Sequence, residues 1–71
     1  MDAYHINVFW SADDGSWIAD VPDLPGCSAS GSTPEEAVRE VQVAQSLWVE
    51  AAKEQGREIP VPRYRPAIYA G

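Results

Sequence analysis

Four carboxylates stand close together in the chain: Asp13, Asp14, Asp20 and Asp23. Carboxylates that converge from neighbouring elements can hold two divalent cations, and such a pair cleaves phosphodiesters by clamping the attacking and leaving oxygens. Local chemistry offers simpler roles for most of them. Asp13 and Asp14 sit in a polar turn loop, Asp23 sits between two prolines in a second turn, and only Asp20 falls within a strand pattern. No metal, cofactor or catalytic residue is therefore assigned. The same four acids form a negative surface that would draw in a basic partner and speed its encounter. Steering of a partner is the binding role assigned to Asp13, Asp14, Asp20 and Asp23.

Cys27 and His5, each the single residue of its type, could act as nucleophile and base, but no third group that would orient the base is evident. A buried cysteine behaving as a small hydrophobe is the simpler reading. Together they also fall short of the four ligands of a structural zinc. The run from Gly26 to Thr33 has the glycine spacing of a phosphate-binding loop, yet Ser32 stands where that loop requires lysine. Its remaining function is to start a helix. Thr33 is suited to the N-cap, Pro34 to the first helical position and Glu36 to the reciprocal contact of a capping box.

These residues need elements to carry them. Residues 4–10 alternate, with Tyr4, Ile6, Val8 and Trp10 on one face, and residues 17–21 place Trp17, Ala19 and Val21 likewise. The loop between them has turn chemistry at Asp14-Gly15. Pairing Trp10 with Trp17, Val8 with Ala19 and Ile6 with Val21 makes the apolar faces coincide, which predicts a hairpin. Its other face carries His5, Asn7, Phe9, Ile18 and Asp20, too apolar for plain solvent exposure and too polar for a core. A rigid Pro22–Gly26 turn leads to a short third strand over Cys27–Ser30. From Pro34 to about Gln55 the spacing of Ala37, Val41, Ala44, Leu47, Trp48 and Ala51 predicts a helix with that stripe on the sheet. Gly56 ends it, and the prolines of Ile59-Pro-Val-Pro favour an extended edge-type segment. The fold class is α+β, with the order β-β-β-α-β. Residues 1–62 form the domain and residues 63–71 a basic and apolar tail.

A chain of 71 residues buries only about 60% of the surface its unfolded form exposes, so help from packing or self-association is expected. One cysteine excludes an internal disulfide, and a homo-oligomer, a dimer or tetramer, is the expectation. Residues 1–56 hold ten acids against Arg39 and Lys53, a balance of −8, whereas residues 57–71 hold Arg57, Arg63 and Arg65 against Glu58, a balance of +2. The acidic body would repel a phosphate backbone, so direct nucleic-acid binding is not expected. No apolar run approaches the ~20 residues of a membrane span, and Met1-Asp2-Ala3-Tyr4 has neither region of a signal peptide. A cytoplasmic setting is the expectation.

Several motifs stand in a telling order: Tyr4, Asp14-Gly15 followed by Trp17, Val21-Pro-Asp-Leu-Pro-Gly-Cys27, Gly31-Ser-Thr-Pro-Glu-Glu-Ala37, Leu47-Trp48, then Gly56 and Ile59-Pro-Val-Pro62. Over residues 4–62 this closely resembles the HicB antitoxin family. The resemblance implies a partial ribonuclease-H-like fold of three antiparallel strands, one long helix and a short C-terminal strand, with a nuclease-like core that is inactive. It also implies a partner, the small basic HicA-type toxin, which resembles a double-stranded-RNA-binding domain and cleaves mRNA with a histidine. Many members carry a C-terminal DNA-binding module, for which Arg63–Gly71 is too short, so autorepression by this chain alone is not expected. The sequence thus reads as a non-enzymatic antitoxin without a small-molecule ligand. A metal-dependent nuclease and an orphan oligomeric binding module are the alternatives.

Overall fold

The computed structural model describes residues 3–66. Three strands, β1 (Asn7–Ser11), β2 (Ser16–Asp20) and β3 (Ser28–Gly31), precede one helix, α1 (Pro34–Glu54). The strands form an antiparallel sheet in the order β1-β2-β3. The fold is α+β. Within the hairpin Trp10 pairs with Trp17 and Val8 with Ala19, as the alternation of apolar residues requires. The ladder stops at Asn7 and Asp20, so Ile6 and Val21 lie beyond the paired strands while still contributing to the core. Gly15, at φ 62°, closes the loop by donating its N–H to the Ser11 carbonyl at 2.9 Å. The third strand is displaced by one residue from the expected Cys27–Ser30, because Cys27 belongs to the preceding turn, where its N–H bonds the Leu24 carbonyl at 3.0 Å.

That turn reaches inward. Leu24 is wholly buried beside Val21, Cys27, Ala19, Ala37 and Val41, and Trp17, Ala29, Ala44, Trp48 and Val49 pack around this cluster. Each fully buried Val or Leu contributes about 1.5–3 kcal/mol relative to exposure. Most members come from the sheet's inner face, the turn and one stripe of α1, which makes the turn a wall of the core. Trp48 secures it further, its indole Nε1–H donating to the Pro25 carbonyl at 2.9 Å.

α1 begins as its sequence requires. The Thr33 hydroxyl accepts from the Glu36 N–H at 3.0 Å, and the Glu36 carboxylate reaches back to the Ser32 N–H at 2.8 Å, one residue earlier than a standard capping box. Gly31 lies under this first turn. A Cβ there would stand 2.6 Å from the Ala37 nitrogen and 2.9 Å from the Glu36 carbonyl carbon, so only glycine lets the helix approach β3 this closely. At the other end Gly56, with φ 68°, donates to the Lys53 carbonyl at 3.1 Å, and Arg57 donates to the Ala52 carbonyl at 2.8 Å. These are the paired bonds of a Schellman cap.

Two expectations need correction. Leu47 is 66% exposed and Ala51 is also exposed, whereas Ala52 is buried and Val49 packs on the core. The sheet is met by a stripe through Ala37, Val41, Ala44, Trp48 and Ala52, rotated from the one expected. The short C-terminal strand over Ile59–Pro62 also does not form: residues 57–66 run without regular structure. Pro60 and Pro62 have no N–H to offer a ladder, and the segment is held by other bonds, among them one from the Tyr4 hydroxyl to the Pro60 carbonyl.

Candidate partner-binding surfaces

The four acids singled out above occupy two ends of the hairpin. Asp13 and Asp14 are exposed in the loop between β1 and β2. Asp14 accepts from the Ser11 hydroxyl at 2.8 Å, and the same hydroxyl accepts from the Asp14 N–H at 3.3 Å. Asp20 closes the far end of β2, opposite Asn7 and Ser28. The five residues of β2 separate the two ends by about 13 Å at 3.3 Å per residue. Asp23 lies beyond, and its carboxylate accepts from the main-chain N–H groups of Arg63 at 3.0 Å and Tyr64 at 3.1 Å. This pins the tail to the turn, a role with no local sequence signal because the partners are 40 residues apart. Among the described residues no three of His, Cys, Asp or Glu are grouped to hold a metal ion.

The other chemical candidates are also accounted for locally. His5 shares a hydrogen bond of 2.7 Å with the Asn7 side chain, and its ring lies 4.6 Å from that of Tyr64. Cys27 is 4% exposed. Burial, reinforced by the Asp20 charge, pushes its thiol above the ordinary value, so it stays protonated at neutral pH and is a poor nucleophile. The helix N-terminus is occupied by its own Thr33 and Glu36 contacts, which leaves capping as the function of the Gly26–Thr33 run.

Apolar side chains reach solvent in two main places. On β1, Val8, Phe9 and Trp10 are 37%, 48% and 52% exposed. The alternation placed Val8 and Trp10 on the inner face, where β1 pairs correctly, but α1 lies mainly over β2 and β3 and leaves these two partly uncovered. Trp10 leans edge-on against Trp17 at 5.7 Å between ring centroids. On α1, Val43 and Leu47 stand one turn apart, both more than half exposed, among the exposed Glu40, Glu50 and Glu54. Periodicity alone concealed this second stripe, since Leu47 adjoins Trp48 and fits either face.

The described surface thus holds a hairpin end with exposed carboxylates, an uncharged first strand with partly exposed apolar side chains, and a helix face where apolar and acidic groups mix. A family profile described as HicB_like antitoxin of bacterial toxin-antitoxin system matches residues 4–68. A UPF0150 protein of Synechocystis is 34% identical over 53 residues, covering 75% of this chain and 73% of the relative. A UPF0150 protein of Thermoplasma acidophilum is 35% identical over 48 residues, covering 68% of this chain and 70% of the relative. No solved structure matches the chain closely enough for comparison. With the profile spanning almost the whole described fold, the chain belongs to the HicB-like antitoxin family of bacterial toxin–antitoxin systems.

Proposed function

We propose that this protein is an antitoxin that binds and neutralises a small basic HicA-type toxin by covering its mRNA-cleaving surface, and that it is not itself an enzyme. The family match carries this reading, and the net charge of −6 supports it, because opposite fields accelerate docking of a basic partner. Asp13, Asp14 and Asp20 provide steering charge on the hairpin. Asp23 adds to the same field while its oxygens hold the tail. The dispersed carboxylates argue against the metal-dependent nuclease, which needs them together. We further propose a cytoplasmic, homo-oligomeric protein, a dimer or tetramer. No helix among the described residues is long and apolar enough to cross a membrane.

Co-expression tests the antitoxin reading. Cells carrying an inducible HicA-type toxin from the same genome should regain growth when this chain is supplied, and a tag on the toxin should retain it. Growth arrest unchanged by a well-expressed antitoxin chain refutes the reading. Purified protein with Mg²⁺ or Mn²⁺ should leave RNA and DNA intact. Cleavage that Asp20→Asn abolishes would instead establish the nuclease.

A further inference from the structure

The core stripe of α1 turns Ala37, Val41, Ala44, Trp48 and Ala52 towards the sheet. A second line of residues recurs at alternating intervals of four and three: Glu36, Glu40, Val43, Leu47, Glu50 and Glu54. This spacing keeps them on one face, about 120° around the helix from the core stripe and about 27 Å long. At its centre Val43 and Leu47 are 57% and 66% exposed, and Glu40, Glu50 and Glu54 are exposed on either side of them. Glu36 is half-buried and bonds the Ser32 N–H. Tyr4 and Ile59 lie against the other flank of the helix, in a groove shared with Gln45, Val49 and Lys53. Arg39, one turn before Val43, borders the acidic face.

We propose that the toxin docks on this face of α1: Val43 and Leu47 press into an apolar spot on the toxin, while Glu40, Glu50 and Glu54 pair with lysine or arginine side chains around it. This names the docking surface for the antitoxin reading above and rests on that reading. An apolar centre with a charged rim is the usual anatomy of a protein interface. Acids alone would only steer a partner. Val43 and Leu47 add apolar area, which still holds the complex when salt screens the charges.

Charge decides the occupant. Two copies laid antiparallel along this face would set Val43 against Leu47, but also Glu40 against Glu50 and Glu36 against Glu54. Laid parallel and in register, each glutamate would meet its own copy. Like charges oppose in both arrangements, which costs affinity, so the face selects against a second copy of this chain. A basic surface meets the same acids favourably. The two acidic regions then divide the work: the Asp13–Asp14 loop speeds the encounter, and α1 holds the complex once formed.

Binding kinetics of the full chain on immobilised HicA-type toxin from the same genome test the division. Leu47→Lys puts a cation at the apolar centre and should weaken binding by about thirtyfold, mainly through faster dissociation, with the circular dichroism spectrum unchanged. Asp13→Asn combined with Asp14→Asn should slow association and leave dissociation as it was. If Leu47→Lys misfolds, thiol labelling decides. The thiol of Leu47→Cys should react quickly in the free protein, with the buried Cys27 of the parent chain as the slow reference, and should be protected when toxin is added. Protection already present in the free protein shows the face covered by the chain itself or by a second copy, and the proposal falls. Toxin that binds Leu47→Lys as tightly as wild type, or leaves the Leu47→Cys thiol reactive in the complex, overturns the α1 surface and leaves the antitoxin reading intact. A wild type that does not bind toxin overturns both.

Discussion

Gly31→Ala isolates the closest approach in the fold. Gly31 has no positive φ, so alanine suits its backbone and the cost comes from space alone. The added methyl would lie 2.6 Å from the Ala37 nitrogen and 2.9 Å from two Glu36 carbons. Ordinary contacts are about 3.5–4.0 Å, and two of the three opposing atoms are main chain. The first turn of α1 must therefore move by about 1 Å. That movement opens the seam where Ala37 and Val41, both 0% exposed, meet β2 and β3, and it strains the contacts of Thr33 and Glu36. Overpacking of this kind costs about 1–3 kcal/mol, and unyielding backbone places it near about 3. For a domain of this size each kcal/mol lowers Tm by roughly 4–8 °C, so a fall of roughly 12–24 °C is expected. Gly15→Ala is the control: nothing lies within 4 Å of its Cβ, and only the φ of +62° opposes it, for about 1 kcal/mol. Thermal unfolding followed by circular dichroism compares the two. If Gly31→Ala is no worse than Gly15→Ala, helix and strand are not in contact as described.

Thr33→Ala removes the acceptor for the Glu36 N–H and should cost about 1 kcal/mol; a urea midpoint equal to wild type would mean that the helix starts elsewhere. Asp23→Ala releases the Arg63 and Tyr64 N–H groups, so trypsin should cut after Arg63 faster than in wild type, with Asp23→Asn intermediate. Equal rates would show that Asp23 does not hold the tail. Cys27 gives a pH signature. Its folded value is raised by burial and by Asp20, so its stabilising contribution is complete below the ordinary thiol value of about 8.5. It is lost as pH rises through the folded value, since the unfolded chain can ionise where the folded one resists. Wild-type stability should thus fall more steeply above that pH than stability of Cys27→Ala; parallel profiles would show that the thiol is not desolvated.

Local chemistry made much of the fold legible. Thr33, Pro34 and Glu36 announced the helix start, Gly56 its end, and the alternation around Trp10 and Trp17 set the hairpin register. What escaped depended on distance or on choosing between neighbouring residues. Leu47 and Trp48 are both apolar and adjacent on the helix, and only the position of the sheet decides that Trp48 turns inward. Ala51 and Ala52 pose the same choice with identical side chains. Asp23 reads as a turn former until the tail arrives 40 residues later. The prolines after α1 signalled an extended edge, and among the described residues hydrogen bonds to Tyr4 and Asp23, not a ladder, hold that segment. For the surface, acid count predicted a field but not its distribution, because the hairpin carries Asp13–Asp14 and Asp20 to opposite ends.

Titration of a purified HicA-type toxin tests the antitoxin reading most directly, with mRNA cleavage as the readout. Cleavage should fall linearly to zero at a fixed stoichiometry as this protein is added. The association rate should drop as salt rises, since exposed charges are screened within about 8–10 Å at physiological ionic strength. Undiminished cleavage at a large excess of folded protein, with no complex in sedimentation at low salt, would contradict it.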